Sequence, residues 1–217
     1  MGAANTPLLT KLALPGESSE WEKIGFAPRD GSFQVGQVTC AIGTTEPSWA
    51  FDIGGVGPDR LSGILTEEFA ARPSNGGSLP QPNGAFKIDH VVVVSDQPSQ
   101  TKAAFEEFGL VGRGARSVGS GDSERSQCFF WSGELLIELV GPAVEQQGGS
   151  PCARIWGVTF VVAEFAALLA LGDGLVSGPR DAVQPGRQIA TVTRQQEVGF
   201  ELAFISPHVK GSAPKTA

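Results

Sequence analysis

The feature that most constrains the fold is an internal repeat of one supersecondary unit. Residues 86–142 read as a β-branched strand at KIDHVVVVS, an amphipathic helix at TKAAFEEFG and three further strands separated by glycine and polar turns. The same order returns over residues 153–207, from RIWGVTFVV through AEFAALLALG to VGFELAFISP. One copy cannot bury its apolar face alone, so two copies are expected to pack side by side. The prediction is an α+β chain of paired βαβββ modules that form a cleft.

The remainder of the chain is expected to be less regular. Residues 1–20 read as an irregular arm, and residues 21–85 read as an N-terminal extension with strand-like runs at FQVGQVTCAIG and WAFDIGG. A stretch rich in Gly, Pro, Ser and Asn follows these runs and predicts a linker before the first module. Residues 208–217 read as a disordered tail.

Charge and composition exclude several classes of partner. The formal net charge is -7 with a pI near 4.9, and no Lys/Arg cluster is present, so nucleic acid is not expected as a partner. No apolar run reaches the length of a membrane span, and the N-terminus lacks the features of a signal peptide, which predicts a cytoplasmic location without membrane contact. Cys40, Cys128 and Cys152 are odd in number and widely spaced, as expected of reduced thiols.

Several phrases resemble a known family. IDHVVVVSD, FEEFGL and LIELVGP are similar to one module of the glyoxalase, or vicinal-oxygen-chelate, superfamily, and the resemblance covers residues 86–207. WEKIGF and the two strands after it resemble part of such a module without its first strand, so residues 21–85 are either a degenerate third module or a family-specific extension. RIWGV and DAVQPGRQIATV resemble a bacterial glyoxalase-like subgroup. The resemblance implies the glyoxalase/bleomycin-resistance/dioxygenase-like fold, with modules paired within the chain or across a homodimer.

The resemblance also implies a metal centre in the cleft. The family holds one divalent ion, of which Mn, Fe, Ni and Zn suit the expected donors, on the first and last strands of each module. In the first module these positions fall on His90 and Glu138. In the second module Gly157 stands where a ligand is expected on the first strand, and the last-strand position is either Glu201 or Ala203. The expected metal ligands are therefore His90 and Glu138, with Glu201 as the third.

Strand alternation and charge give separate reasons to examine the same two positions. Alternation in IDHVVVV places Ile88 and His90 on one face of the strand. A carboxylate such as Glu138 in a strand of Leu, Ile and Val is unfavourable unless it is paired, hydrogen-bonded or metal-bound. The alternatives are a core histidine, a salt bridge from Glu138 to Arg187 or Arg113, or a register that exposes the carboxylate.

Four further residues are candidates for contact with a small-molecule substrate. Arg187, between a turn and a strand, is either a bidentate clamp for a substrate carboxylate or a surface charge. Gln184 is a candidate for a polar contact in the same turn. Trp131 and Trp156 are candidates for the pocket wall, although packing in a core is the commoner use of tryptophan.

Three functions remain open at this point. The first is a metal-dependent lyase, isomerase or dioxygenase acting on a small oxygen-rich metabolite, in which His90 and Glu138 are catalytic. The second is a small-molecule binding or resistance protein without metal chemistry, which Gly157 and Ala203 favour. The third keeps His90 and Glu138 as a metal-free acid–base pair. The fold alone does not choose among them.

Overall fold

The computed structural model describes residues 6–53, 57–67, 80–145, 148, 152–172, 174–193 and 200–208. Within these ranges the strands are β1 Leu8–Leu14, β2 Ser32–Val35, β3 Val38–Ile42, β4 Ser48–Asp52, β5 Arg60–Leu61, β6 Ile64–Leu65, β7 Ala85–Val94, β8 Val111–Val118, β9 Arg125–Ser132, β10 Leu135–Pro142, β11 Arg154–Val162, β12 Arg180–Asp181, β13 Gln188–Thr191 and β14 Glu201–Ile205. The α-helices are α1 Ser18–Lys23, α2 Pro98–Glu107 and α3 Ala166–Leu169. A 3-10 turn spans Gly121–Ser123.

The two predicted modules form one eight-stranded sheet in the order β12-β13-β14-β11-β7-β10-β9-β8. In each module the last strand is parallel to the first, β10 to β7 and β14 to β11. The modules join edge to edge where β7 and β11 pair antiparallel. The predicted α+β architecture of paired βαβββ modules is confirmed, and the first strands of both modules lie at the centre of the sheet.

The two faces of this sheet differ in burial. Along β10, Leu135, Ile137 and Leu139 are buried against the core, whereas the residues between them are half-buried. The half-buried side is called the open face here. The residues that face this side on the five strands β9, β10, β7, β11 and β14 are Gln127, Phe129, Trp131, Leu136, Glu138, Val140, Asp89, His90, Val92, Val94, Gly157, Thr159, Glu201 and Ala203, of which Gly157 and Thr159 are buried.

The second module is shorter than its sequence pattern predicts. The helix predicted over AEFAALLALG spans only Ala166–Leu169, and Gly172 follows with a φ of 139°. The strand predicted over GLVSGPRDAV is reduced to Arg180–Asp181. The eight-stranded sheet therefore ends in a long edge strand in the first module and in a very short one in the second.

Residues 1–20 contain a strand and the start of a helix, so the prediction of an irregular arm is wrong for the described part of that range. Strand β1 lies between β3, with which it runs parallel, and β4, with which it runs antiparallel. Five of its seven residues are buried. A central strand covered on both sides lacks the apolar–polar alternation from which strands are usually inferred, which explains the wrong prediction.

The N-terminal unit repeats the module connectivity with one strand missing. The order β1-α1-β2-β3, with β3 parallel to β1 and antiparallel to β2, matches the order of first strand, helix and last two strands in a full module. The first strand is thus present, contrary to the partial resemblance drawn from WEKIGF. The strand that is absent from the described N-terminal residues corresponds to the outermost one, β8 in the first full module.

The N-terminal unit packs on the face opposite the open face. Phe26 packs against Phe160 at a tilt and stacks on Phe204, with ring centroids 4.9 Å and 6.1 Å apart. Trp49 of β4 meets Phe105 of α2 edge to face at 5.8 Å. These rings belong to the main hydrophobic core. The N-terminal unit therefore covers the closed side of the eight-stranded sheet and leaves the open face uncovered by the described residues.

Parts of the predicted linker and tail lie outside the described residues, namely 54–56, 68–79 and 209–217. His208, the one tail residue that is described, is exposed. None of the helices in the described part of the chain has the length and apolar character needed to cross a membrane.

Candidate active site

A β-bulge in β7 brings two polar side chains to the same side of the sheet. Opposite β7, Thr159 pairs with His90 and Phe160 pairs with Ile88, so Asp89 is an extra residue in the ladder. A bulge of this kind interrupts the alternation of side chains. Ile88 is 2% exposed and lies in the core, whereas Asp89 and His90 both face the open side. The prediction that Ile88 and His90 share a face is therefore wrong.

His90 is held at both ring nitrogens. Its Nδ1 lies 2.9 Å from Oδ2 of Asp89, and its Nε2 lies 3.0 Å from the hydroxyl of Thr159. The same Nε2 is 3.9 Å from Oε2 of Glu138 on the neighbouring strand β10. The side chains of His90 and Glu138 are 13% and 16% exposed, so water reaches both groups from the open face only.

Arg187 holds the carboxylate of Asp89 in place. Its Nη2 donates to Oδ1 of Asp89 at 2.7 Å, its Nε donates to the carbonyl oxygen of Ser206 at 2.7 Å, and its Nη1 donates to Nε2 of His208 at 3.2 Å. The guanidinium is buried, with 1% of the side chain exposed. All three nitrogens are thus engaged, and Arg187 is neither the substrate clamp nor the surface charge proposed from sequence. It positions Asp89, and Glu138 does not pair with it.

These contacts fix the charge of Asp89 and the tautomer of His90. Burial raises the pKa of Asp89, but hydrogen bonds from His90 and Arg187, together with the attraction of their charges, outweigh burial and lower the pKa to about 2. A carboxylate that is ionised at neutral pH only accepts hydrogen bonds. Nδ1 of His90 must therefore carry a proton, and the basic nitrogen of the imidazole is Nε2, which contacts the Thr159 hydroxyl and lies beside Glu138.

The register shows which residues of the second module correspond to His90 and Glu138. Across the antiparallel pair β7–β11, His90 lies opposite Thr159 and Val92 lies opposite Gly157, a register consistent with the sequence alignment of HVVVVS with GVTFVV, which maps His90 onto Gly157. Within the first module Glu138 pairs with Val92, and within the second Ala203 pairs with Thr159. Ala203, rather than Glu201, therefore corresponds to Glu138.

The donor set does not fit a resident divalent metal. The position equivalent to His90 has no side chain, and the position equivalent to Glu138 has only a methyl group, so two protein donors remain where a stable centre uses at least three. In the described part of the chain no three His, Cys, Asp or Glu side chains are grouped closely enough to hold a metal ion. Glu201 lies on the open face, but its register partner is Gly157 and it does not complete the set.

Gly157 is required by the packing of β11 against β14. A Cβ added at this position would lie 2.8 Å from the backbone oxygen of Glu201 and 2.9 Å from its Cβ. We expect Gly157→Ala to lower the free energy of unfolding by about 1–3 kcal/mol, because the two backbones must separate. Urea denaturation monitored by circular dichroism measures this loss. Gly178→Ala is the matched control, since nothing lies within 4 Å of its added Cβ, and an equal loss in both variants would contradict this explanation.

The other predicted contact residues are more dispersed. Trp131 lies on the open face of β9. It pairs with Leu136 of β10, which in turn pairs with His90 of β7. Trp156 is the extra residue of a second bulge, in β11, and is 41% exposed. Gln184 lies in the turn between β12 and β13, where its carbonyl oxygen accepts from the amide of Arg187. No hydrogen bond joins the Gln184 side chain to His90 or to Glu138, which are both described residues.

Sequence reasoning missed the two residues that orient His90. Asp89 precedes it directly, and simple alternation assigns neighbouring residues to opposite faces. Thr159 lies on a strand 69 residues further along and pairs with His90 only through the module interface. The Asp-His dipeptide was the available signal in the sequence. The bulge that places both side chains on the same face of β7 cannot be detected from the sequence.

Comparison with solved structures identifies the fold. A triple mutant of 4-hydroxymandelate synthase from Streptomyces coelicolor superposes with a TM-score of 0.59 at 12% identity, over 96% of this chain and 94% of that chain. A fusion of a xylose isomerase-like TIM barrel with 4-hydroxyphenylpyruvate dioxygenase gives 0.60 at 12% identity, over 99% of this chain and 51% of that one. The chain has the vicinal-oxygen-chelate fold. No protein-family model matches the sequence, and no curated protein matches it.

The vicinal-oxygen-chelate fold explains the placement of the site. The first strands of the paired modules meet at the centre of the sheet, so any group they carry on the open face lies on the axis that relates the two modules. In this chain one module supplies His90 and Glu138 at that axis, and the other supplies Gly157 and Ala203. The two modules therefore contribute equivalent backbone positions to the site, but only the first module contributes reactive side chains.

Proposed function

We propose that the protein is a metal-independent enzyme that moves a proton on a small carbonyl metabolite, with His90 as the general base. The observation that carries this proposal is the chain of contacts from Arg187 through Asp89 to His90, which leaves Nε2 facing Glu138 at 3.9 Å on the open face. An imidazole oriented by a buried carboxylate is the arrangement by which histidine acts as a general base.

The residues support a proton-transfer sequence of two steps. Nε2 of His90 takes a proton from a carbon next to the substrate carbonyl, the C–H bond breaks, and the electron pair moves into an enolate. The ionised Asp89 stabilises the imidazolium that results. The proton then returns from Nε2–H of His90 to carbon, on the opposite face where the enolate has turned over. Isomerisation and epimerisation are the reaction types that this sequence performs.

Thr159 suits both states of the base. A threonine hydroxyl donates one hydrogen bond and accepts two. In the resting site it donates to the lone pair of Nε2, 3.0 Å away. Nε2 has a single lone pair, so the substrate must displace this hydrogen bond before His90 takes the proton. The charged imidazole can then donate its Nε2–H to the same hydroxyl oxygen.

Exchange of substrate hydrogen with solvent tests the proposal without knowledge of the product. We expect the protein to incorporate deuterium from D2O next to the carbonyl of at least one compound in a panel of small 2-oxo acids, hydroxy ketones and acyl thioesters, measured by proton NMR. Exchange should be unchanged by EDTA. The purified protein should hold far less than one equivalent of Mn, Fe, Ni or Zn per chain by elemental mass spectrometry. Stoichiometric metal with EDTA-sensitive exchange would refute the metal-independent mechanism.

A second candidate is a binding or resistance protein that holds a small ligand without changing it. The absence of metal-binding side chains at Gly157 and Ala203 favours it, because a protein that only binds a ligand does not need the full set of metal ligands. Compounds of the same panel that raise the melting temperature but show no exchange would favour binding over catalysis.

A further inference from the structure

The outer end of the open face carries two arginines on an aromatic surface. Strand β8 forms the edge of the sheet, and the register jumps from Gly112, opposite Phe130, to Gly114, opposite Phe129. Arg113 is the extra residue of this bulge. The bulge breaks the alternation, so that Arg113 and Arg116 both reach the open face.

Each arginine lies over an aromatic ring of β9. The guanidinium carbon of Arg113 is 5.8 Å from the ring centroid of Trp131, and that of Arg116 is 5.3 Å from the ring centroid of Phe129. Both distances are within the range of cation–π attraction. Nε of Arg116 also donates to Oε1 of Gln127 at 2.6 Å. Stacking and this hydrogen bond hold the guanidinium planes before any ligand binds.

Within the described residues the two arginine charges have no carboxylate counterion. None of the carboxylates that the structure describes forms a salt bridge with Arg113 or Arg116, and both side chains are exposed. The chain as a whole carries a net charge of -7, so this pair forms a local positive region on an acidic protein. A positive region with oriented donors attracts anions and aligns them.

The two arginines lie on the same face as His90, over rings that are two strands further along the sheet. Phe129 pairs with Glu138, and Trp131 pairs with Leu136, which pairs with His90. Strands in a sheet are about 4.8 Å apart, so the rings lie roughly 10 Å from the strand that carries His90. A metabolite must therefore extend over roughly 10 Å to bind an arginine at one end and reach Nε2 of His90 with the other, as an acyl thioester or a longer oxo acid does.

We propose that Arg113 and Arg116, stacked on Trp131 and Phe129, form the subsite for an anionic group, a carboxylate or a phosphate, on the metabolite that His90 acts upon. This inference rests on the proposed proton-transfer function for the identity of the bound molecule. The alternative role of the arginines is protection of an edge strand against pairing with another chain, which requires no ligand.

Calorimetric titration with phenyl phosphate, benzoate and the uncharged benzyl alcohol tests the subsite at low ionic strength. We expect phenyl phosphate or benzoate to bind, and the stronger of the two identifies the anion. Arg113→Gln and Arg116→Gln should each weaken that binding by about tenfold, because each removes a charge-assisted hydrogen bond. Arg180→Gln, at the opposite edge of the sheet, should leave it unchanged. Binding of benzyl alcohol should not depend on either arginine.

Two outcomes overturn the subsite. One is the absence of binding by both anions, and the other is binding that is equally strong in Arg113→Gln and Arg116→Gln. The deuterium exchange assay separates this failure from failure of the proposed function. If both variants catalyse exchange with the KM of the wild type, the proton-transfer proposal is retained and the anion subsite is rejected. Arginine-dependent anion binding without exchange leaves the subsite standing as part of a binding protein.

Discussion

His90→Gln is expected to reduce the rate of deuterium exchange by about 10²–10⁴-fold, the usual contribution of a positioned general base. Glutamine keeps a polar side chain of similar reach but has no basic nitrogen. The side chain is 13% exposed and lies at the edge of the core, so the fold should survive the change. The exchange rate of the most active compound of the panel, followed by NMR at fixed pH, measures the effect.

His208→Gln makes the same chemical change at the other of the two histidines, which is exposed and accepts from Nη1 of Arg187, a hydrogen bond that the glutamine oxygen can also accept. The same chemical change at that position should leave most of the rate intact. Retention of full exchange in His90→Gln, with normal circular dichroism, would show that the base lies elsewhere. A loss of equal size in both variants would indicate a general effect on the protein rather than removal of a base.

Arg187→Met is expected to lower the free energy of unfolding at neutral pH by roughly 3 kcal/mol, because it leaves the carboxylate of Asp89 without its buried counterion. Methionine replaces the apolar stem of the arginine, so the loss reports mainly on the charge and its hydrogen bonds. Chemical denaturation at pH 7 measures the change. The exchange rate should fall as well, since Asp89 no longer holds His90 in one orientation.

The pH dependence of this loss follows from the lowered pKa of Asp89. The pKa is about 2 in the folded protein and near 3.9 in an unfolded chain. A group with a lowered folded pKa stabilises the protein above its unfolded pKa, and this contribution disappears as the pH falls through the folded pKa. The contribution of Asp89, roughly 2.5 kcal/mol at neutral pH, should therefore fade between about pH 4 and pH 2. The difference between wild type and Arg187→Met should shrink over the same range.

The double variant Asp89→Asn/Arg187→Met provides the control for this explanation. Removing both partners eliminates the uncompensated charge, so the double variant should be more stable than Arg187→Met alone. If the two are equally stable and the loss in Arg187→Met does not vary with pH, the arginine contributes by packing, and the proposed anchoring of Asp89 fails.

The fold was predictable because its strongest signal is local and repeated. The runs KIDHVVVVS and RIWGVTFVV, each followed by a helix and strands, are visible without knowledge of any contact. Strand β1 was missed because a strand buried on both faces has no alternation to detect. The reduced size of the second module was missed because the length of a helix in a protein depends on tertiary packing more than on propensity.

The site was only partly predictable. His90 and Glu138 were named from the resemblance, and the structure brings them to 3.9 Å. The role of Arg187 was misjudged because its partner Asp89 reaches it only after a bulge has turned that side chain. Bulges are set by the pairing of two distant strands, which no window of sequence contains. The residues that orient a group are therefore harder to infer than the group itself.

The packing at Gly157 bears on how this site can change. An imidazole at position 157 requires β14 to move first, so the chain cannot acquire a donor there by one substitution. Ala203 is different, because it already presents a Cβ on the open face, opposite Thr159. Design of a metal centre in this protein should therefore begin with a substitution at Ala203. The same substitution is the one that evolution could make without first moving β14.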